Sequence, residues 1–184
     1  MNGKKWRVVC FINQFFGQIG GEDMAHVGFS VKNEAVGPAK LFETLMKDEC
    51  EVVGTVICGD NYFAENTETA VAEGVEHVKS LNPDLFIAGP AFNAGRYGIS
   101  CGNMVSAVGK TIGIPTVTAM YPENPAVELF RKDTYIVKTG IMSSELRKTA
   151  PRMVSIGLRL LRQEPIGSAM SEGYIIRDII LNEE

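Results

Sequence analysis

The sequence has few cysteines, and their positions exclude several kinds of protein. Four occur in 184 residues, at Cys10, Cys50, Cys58 and Cys101. No two of them form a CxxC pair, and none has the Cys/His spacing of a zinc site. We therefore expect no bound metal and no disulfide framework. Reduced, scattered thiols are typical of a cytoplasmic protein.

The sequence also lacks strong basic charge and long apolar runs. Its net charge is −4, which gives no support for binding to nucleic acid or to an anionic membrane. The longest apolar runs are far shorter than the roughly 20 residues that span a bilayer. The start, MNGKKWRVVCFIN, is basic but has no small-residue cleavage site, which argues against a signal peptide. We expect a cytoplasmic protein without nucleic-acid or membrane partners.

What the chain does contain is an alternation of strand and helix patterns. Its length suits one domain, and a hydrophobic share of 45% is enough for a core. Apolar runs predict five strands, at residues 6–12, 52–57, 85–88, 115–119 and 135–138. Helical periodicity predicts helices from residue 38, at 66–81, 99–112 and 144–162, and a short one opened by PENP.

This alternation predicts an α/β fold with a five-stranded parallel sheet between two helical layers. The closest common arrangement is the flavodoxin-like or Rossmann-like three-layer sandwich with strand order 2-1-3-4-5. We assign residues 1–163 to an α/β substrate-binding domain and 164–184 to a tail or a linker to a second half, with an apolar segment at 174–181. Residues 13–37 contain no predicted element, and a loop of that length is usually functional or mobile.

Residues 83–101, PDLFIAGPAFNAGRYGISC, are the centre of the functional argument. A buried strand breaks at Gly89-Pro90 and leads through a Gly-rich polar loop into a helix. This pattern is typical of the ligand-facing corner of an open α/β sheet. A turn with a purely structural role is the alternative.

Side chains that follow neighbouring parallel strands should meet on one edge of the sheet. The loops after strands one to four supply amides, carboxylates, aromatic rings and one arginine. We expect substrate binding, without a catalytic group, from Asn13, Gln14, Asp60, Asn61, Tyr62, Gly89, Phe92, Asn93, Arg96, Tyr97, Tyr121 and Glu123.

The chemistry of this set fits a small zwitterion. The guanidinium of Arg96, with the backbone of residues 89–95, suits a carboxylate. Asp60 and the rings of Tyr62 and Phe92 suit a cationic nitrogen, although core packing is the alternative for each ring. The sequence GQIGG lacks the spacing of a nucleotide-binding loop, so we expect no cofactor in this chain.

Four segments carry a resemblance to a known family: INQFFGQIGGE at 12–22, TVICGDNYF at 55–63, AGPAFNAGRYG at 88–98 and MYPENP at 120–125. They resemble the larger, selenoprotein subunit of component B of glycine, sarcosine and betaine reductases. The likeness extends over essentially the whole chain. It does not distinguish the glycine, sarcosine and betaine members.

The resemblance implies an oxidoreductase subunit that acts with a disulfide as acceptor in the reductive deamination of an amino acid or N-methylated derivative, in anaerobic metabolism. It also implies a pyruvoyl-containing partner subunit, a selenocysteine-bearing second half, a small selenoprotein and an oligomeric assembly. The family subunit is longer than this chain, and its redox motif lies in the second half. No such motif occurs in this sequence.

We therefore expect the substrate-binding half of a component B-type reductase, inactive alone. A stand-alone small-molecule binding, regulatory or scaffold protein built on the same domain is the alternative. A weaker third hypothesis is an independent enzyme that uses Cys58 or Cys101, the only candidate nucleophiles near the predicted site. Neither has an activating histidine that the sequence makes visible.

Overall fold

The computed structural model describes residues 3–178, which form a sheet covered by helices on both faces. The strands are β1 (Trp6–Asn13), β2 (Ser30–Lys32), β3 (Cys50–Cys58), β4 (Leu85–Phe92), β5 (Thr116–Met120) and β6 (Tyr135–Lys138). The helices are α1 (Pro38–Met46), α2 (Asp60–Glu65), α3 (Thr67–Ser80), α4 (Gly95–Thr111), α5 (Ala126–Phe130), α6 (Leu146–Leu161) and α7 (Ala169–Glu172). Single 3₁₀ turns lie at Glu22–Met24, Lys47–Glu49 and Ser143–Glu145.

The strand order is β2-β3-β1-β4-β5-β6. From β3 to β6 all neighbours are parallel, so the predicted α/β class and the order of the five parallel strands are confirmed. The predicted count of five strands is wrong, because β2 adds a sixth, antiparallel strand at the edge beside β3. This strand lies inside residues 13–37. It has only three residues, SVK, which is too short for a periodic signal.

The central strands are buried on both faces, as expected for a parallel sheet between two helical layers. All eight residues of β4 and the last six of β1 are buried. Alternate residues point to opposite layers. Phe11 and Phe86 pack with residues of α3 and α4, whereas Cys10 and Ile87 pack with residues of α1 and α6.

Three features near the predicted site differ from the sequence-based expectation. The residues DNYFAE form helix α2 immediately after β3, where a loop was expected. Helix α4 begins at Gly95 instead of at residue 99, so Arg96 and Tyr97 belong to its first turn. Strand β4 also continues beyond residue 88, through a cis Gly89–Pro90 peptide bond, to Phe92.

The segment after α7 lies against the free edge of β6. The backbone N–H of Lys138 donates to the carbonyl of Gly173 at 2.9 Å, and the N–H of Ile175 donates to the carbonyl of Ile136 at 2.8 Å. The first part of the predicted apolar segment 174–181 is therefore docked on the sheet. Its residues from 179 onward lie outside the described residues. Within residues 3–178 no helix has both the length and the apolar character needed to cross a bilayer.

Candidate functional site

A small cleft opens at the carboxyl ends of β1, β3 and β4, the edge where the sequence predicts a site. Its volume is about 250 Å³. Its lining combines buried polar groups with aromatic rings. The residues are Asn13, Gln14, Phe15, Phe16, Gly21, Glu22, Asp60, Ala94 and Tyr97.

A larger cavity of about 470 Å³ lies near the β6 edge of the sheet, between β6, α6 and α7. Its basic residues, Lys138, Lys148 and Arg152, are exposed to solvent, and its acidic residue, Glu145, is half-buried. The smaller cleft is the better candidate site, because it contains a buried carboxylate, and buried charges require specific partners.

The floor of the cleft is a hydrogen-bonded group at the ends of β1 and β3. Asn13 Nδ2 donates to Asp60 Oδ2 at 3.1 Å, and the backbone N–H of Asp60 donates to Gln14 Oε1 at 2.9 Å. Asn13 Oδ1 accepts from the backbone N–H of Phe16 at 3.0 Å. All three polar side chains are buried, with Asp60 only 7% exposed. These bonds fix the orientation of the carboxylate.

One oxygen of this carboxylate is left without a partner. Asp60 Oδ1 is buried and accepts no hydrogen bond from the described residues. Burial raises the pKa of Asp60 above its usual range, and the nearby Glu22 raises it further. The hydrogen bond that Asn13 donates, the charge of Arg96 and the neighbouring Gln14 side chain act in the opposite direction. An ionised Asp60 is therefore costly with these protein partners alone, and a ligand N–H donor would stabilise it.

Arg96 lies at the mouth of the cleft, in the first turn of α4. Its guanidinium contacts Asn61 Oδ1 through one terminal nitrogen and the carboxylate of Glu22 through the other. The Arg96 side chain is 41% exposed and that of Glu22 is 73% exposed. Arg96 therefore faces solvent at the entrance and is already paired with a carboxylate of the chain itself.

The segment 14–29 crosses the cleft and is attached to the start of α2 by its backbone. The N–H of Gly59 donates to Val27 O at 2.9 Å, and the N–H of Asn61 donates to Ala25 O at 2.8 Å. Gly59 leaves no room for a side chain here, since a Cβ would lie 2.3 Å from Ala25 O and 2.5 Å from Val27 O. The absence of a Cβ at Gly59 is what allows this close approach.

Aromatic rings form one wall of the cleft. The ring of Phe16 lies 5.2 Å from Phe15, 5.8 Å from Tyr97 and 6.4 Å from Phe92, measured between centroids. The Tyr97 ring is buried, and its hydroxyl has no hydrogen-bond partner among the described residues. Burial raises the pKa of this hydroxyl well above its usual range, so it stays protonated. The wall therefore offers ring faces to the cleft.

The structure brings five of the predicted residues together at this cleft. Asn13, Gln14, Asp60 and Tyr97 line it, and Arg96 stands at its mouth, paired with the cleft-lining Glu22. Asn61 is joined to them through its contact with Arg96.

Other predicted residues lie elsewhere. The Tyr62 hydroxyl donates to Glu73 Oε2 of α3 at 3.1 Å, and the Tyr62 ring lies 6.2 Å from that of Phe29, on the outer side of α2. Gly89 is buried within β4. Tyr121, half-buried, and the exposed Asn93 and Glu123 do not line the cleft.

The segment 89–95 has most of its carbonyls engaged by the protein. Asn124 Nδ2 donates to Phe92 O at 3.0 Å and to Ala94 O at 3.1 Å, and the N–H of Tyr121 donates to Phe92 O at 2.9 Å. Asn124, 2% exposed, thus ties the loop to the start of α5. This residue holds the segment in place beside the cleft.

Sequence reasoning did not select Glu22 or Gly21 as site residues, and it included Ala94 only through the backbone of residues 89–95. Glu22 lies in a 3₁₀ turn within residues 13–37, and its approach to Arg96 depends on how that segment folds back. The unusual length of the segment was the available signal. Phe15 and Phe16 directly follow β1, and this position after a strand end is the sequence signal that places their rings at the cleft.

The cysteines are poor nucleophiles in this structure. Cys58 is 2% exposed, and burial raises the pKa of its thiol to about 12. Cys101 is fully buried, and burial raises its pKa well above the usual range. Both thiols therefore stay protonated near neutral pH, which counts against an enzyme that uses either of them.

The fold and the cleft define a class: an open α/β protein with a small polar site at the carboxyl ends of its parallel strands. Within that class, the chain belongs to the family described as glycine/sarcosine/betaine reductase selenoprotein B, whose sequence model matches residues 5–183. The resemblance inferred from the four sequence segments is thus confirmed. No solved structure gives a significant match to the chain.

Relatives with assigned names fall in the same family. The chain is 52% identical to "Glycine reductase complex component B subunit gamma" of Carboxydothermus hydrogenoformans, over 97% of this chain and 41% of that protein. It is 44% identical to "Sarcosine reductase complex component B subunit beta" of Peptoclostridium acidaminophilum, again over 97% and 41%. It is 36% identical to "Betaine reductase complex component B subunit beta" of the same organism, over 93% and 39%. The chain spans about two fifths of the length of these relatives.

Proposed function

We propose that this chain is the substrate-binding part of a component B-type reductase and that its cleft binds a small zwitterion. The ligand is an amino acid or an N-methylated derivative. Two independent lines support this: membership in the glycine/sarcosine/betaine reductase family, and a cleft with a carboxylate inside and an arginine at its mouth.

The observation that carries the proposal is the free oxygen of Asp60. A buried carboxylate oxygen without a donor is costly, and an ammonium N–H would satisfy it. The ring faces of Phe16 and Tyr97 are suited to N-methyl groups on the same nitrogen. Arg96 at the mouth would then receive the carboxylate of the ligand.

The size of the cleft fits this ligand class. Its volume of about 250 Å³ lies below the range of roughly 300–1,000 Å³ that is usual for drug-sized ligands. The GQIGG turn lies beside the cleft, at residues 17–21, and has no phosphate-loop spacing. A small amino acid suits this space better than a nucleotide.

The reductive step, in this proposal, takes place outside this chain. The four cysteines of the sequence contain no CxxC pair, and all four are free and buried. The redox group would come from a selenocysteine-bearing second half and a small selenoprotein. A pyruvoyl-containing subunit would engage the amine. The chain alone should give no turnover of glycine, sarcosine or betaine with dithiothreitol, and turnover under these conditions would overturn this part of the proposal.

Calorimetric titration of the 184-residue chain with glycine, sarcosine, betaine and D-proline tests the binding role. We expect at least one of the first three to bind, and Arg96→Ala to weaken that binding roughly tenfold, as for loss of a hydrogen bond to a charged group. Arg96→Lys should restore little, because lysine lacks the planar fork. Arg147→Ala, at an exposed position of α6, is the matched control.

Two results would overturn the site assignment. One is the absence of binding of all four compounds to the chain, measured alone and again with the partner subunits. The other is unchanged affinity in Arg96→Ala. A sharp fall in melting temperature for Arg96→Ala, with Arg147→Ala unaffected, would show a structural role for Arg96.

The alternative function is a stand-alone binding or regulatory protein on the same domain. The same titration, repeated with the partner subunits present, separates the two. A component B subunit should form a stable complex with those subunits and support turnover in that complex. A stand-alone protein should bind its ligand but should neither form the complex nor support turnover.

A further inference from the structure

Glu22 and Arg96 form an ion pair across the mouth of the candidate cleft. Glu22 lines the cleft from the segment 14–29, and Arg96 reaches it from α4, so the pair joins two walls that are 74 residues apart in sequence. The carboxylate of Glu22 is therefore bound to the Arg96 guanidinium. In the proposed function, the same guanidinium receives the carboxylate of the ligand.

We propose that Glu22 is a specificity-determining residue, whose carboxylate pairs with Arg96 and is replaced there by the carboxylate of the ligand. This inference rests on the proposed function. It adds a residue that sequence reasoning did not select, and it gives that residue a defined effect: a ligand must carry its own carboxylate to release the Glu22 side chain from Arg96.

The pair is suited to replacement because it is exposed. The Glu22 side chain is 73% exposed and the Arg96 side chain is 41% exposed. Ion pairs in contact with solvent are weak, since water screens the charges and the side chains lose entropy when they are held together. A carboxylate covalently linked to an ammonium that is already bound at Asp60 competes intramolecularly, which raises its effective concentration at Arg96.

Arg96 keeps its position when Glu22 leaves, because a second contact holds it. One terminal nitrogen of the guanidinium contacts Asn61 Oδ1, and the other contacts Glu22. Loss of the Glu22 contact frees only that second nitrogen. The ligand therefore meets a guanidinium that Asn61 still holds through one terminal nitrogen and whose other terminal nitrogen is free to donate.

The segment that carries Glu22 also keeps its position. Its attachment to α2 uses the backbone carbonyls of Ala25 and Val27, which accept from Asn61 at 2.8 Å and from Gly59 at 2.9 Å. None of these bonds involves the Glu22 side chain. A rotamer change of Glu22 is therefore sufficient, and no movement of the segment is required.

The three charged groups of the site distinguish amines, carboxylates and zwitterions as ligands. The cleft and its mouth carry Asp60, Glu22 and Arg96, and Glu22 is near enough to Asp60 to raise its pKa. A simple amine can meet Asp60 but leaves the Glu22–Arg96 pair intact. A simple carboxylate can meet Arg96 only by displacing Glu22 without help from an ammonium. A zwitterion meets Asp60 with its ammonium and displaces Glu22 from Arg96 with its carboxylate. The Glu22–Arg96 pair therefore favours amino acids over simple amines and simple carboxylates.

The test compares Glu22→Gln with Asp23→Asn by calorimetric titration of the chain with glycine, acetate and methylamine. Asp23 is an exposed neighbour in the same 3₁₀ turn, and Asp23→Asn removes one negative charge, as Glu22→Gln does. We expect Glu22→Gln to bind glycine and acetate about two- to fivefold more tightly than the unmodified chain, in line with a weak, exposed pair. Its affinity for methylamine should not rise, and Asp23→Asn should match the unmodified chain for all three probes.

The outcomes distinguish this inference from the proposed function. Glycine binding that is unchanged or weaker in Glu22→Gln overturns the inference alone. Equal tightening in Asp23→Asn also overturns it, since the effect would then be a general change of charge. Binding of glycine by Glu22→Gln when the unmodified chain binds none supports it. Absence of glycine binding in all three proteins, together with absence of binding of all four compounds in the titrations with and without the partner subunits, overturns the proposed function and this inference together.

Discussion

Asn13 and Asp60 are hydrogen-bonded across neighbouring strand ends, with Asn13 Nδ2 donating to Asp60 Oδ2 at 3.1 Å. Asn13 ends β1, and Asp60 begins α2 two residues after the end of β3. The bond uses one carboxylate oxygen and leaves Oδ1 for another donor. The parallel pairing of β1 with β3, which sets Asn13 opposite Cys58, is what brings these residues together.

The substitution Asp60→Asn should weaken the binding of glycine at least tenfold, because a neutral amide replaces the charged acceptor for the ammonium. The free energy of unfolding should change by less than about 1 kcal/mol, since the substitution also removes a buried charge. Calorimetric titration and urea unfolding measure the two effects. Asp23→Asn, which removes an exposed carboxylate, is the control. Equal glycine affinity in Asp60→Asn and the unmodified chain would contradict the assigned role of Asp60.

The raised pKa of Asp60 predicts opposite pH dependences for binding and stability. Its ordinary value is 3.8 and burial raises it in the folded chain. Between 3.8 and the raised value, the folded chain holds a proton that the unfolded chain has lost. The Asp60 contribution to the free energy of unfolding is therefore complete below 3.8 and declines as the pH rises through the folded pKa. Amine affinity should rise over the same window, as Asp60 ionises.

Measurement of both quantities against pH, in the unmodified chain and in Asp60→Asn, isolates this contribution from those of the other carboxylates. As the pH rises, the free energy of unfolding of the unmodified chain should fall relative to that of Asp60→Asn. A difference that stays constant across the window would show that the pKa of Asp60 is not raised.

The substitution Gly59→Ala should displace the segment 14–29 from α2. The new Cβ would lie 2.3 Å and 2.5 Å from two backbone oxygens, of Ala25 and Val27, which cannot rotate away. We expect a loss of about 1–3 kcal/mol in the free energy of unfolding, as for overpacked sites, and weaker glycine binding.

Gly109→Ala is the matched control for Gly59→Ala. Its Cβ would lie 3.8 Å from Thr116, an ordinary contact, in the last turn of α4. This control should gain roughly 0.5–1 kcal/mol, because alanine is the better helix former. Thermal and urea unfolding of both variants test the pair, and equal stability of the two would refute the close approach at Gly59.

The thiols of the folded chain should resist alkylation by iodoacetamide near neutral pH. Burial raises the pKa of Cys50 to about 11 and that of Cys58 to about 12, and it raises those of Cys10 and Cys101 as well. Since the thiolate is the reactive form, labelling should be slow in the native chain and complete at four sites after unfolding in guanidinium. Mass spectrometry reports the count. Rapid native labelling of Cys58 or Cys101 would revive the hypothesis of an independent cysteine enzyme.

Much of the fold could be predicted because its parallel strands leave a strong sequence pattern. The runs at 52–57 and 85–88 are apolar on both faces, and each is followed by a helical period, which together favour one sheet topology. Strand β2 escaped detection because its pairing depends on the tertiary path of residues 13–37. Helix α2 escaped because DNYFAE is short and polar, and it is stabilised by carbonyls that the segment 14–29 supplies.

The candidate site was predictable to the extent that it follows from strand ends. Asn13, Gln14 and Asp60 meet because β1 and β3 are parallel neighbours. Tyr62 was predicted with them because it follows the same strand end and carries a ring, but helix α2 directs it to Glu73 instead. Glu22 could not be predicted, since no strand end delivers it.

The docking of Gly173 and Ile175 on β6 has a consequence for how this protein meets other chains. A free strand edge can pair with an edge of another molecule and so extend the sheet between chains. In the described part of the chain, the β6 edge already has backbone partners, and the opposite edge strand, β2, is only three residues long. Strand addition at the β6 edge would therefore require the segment 173–175 to leave its backbone partners first.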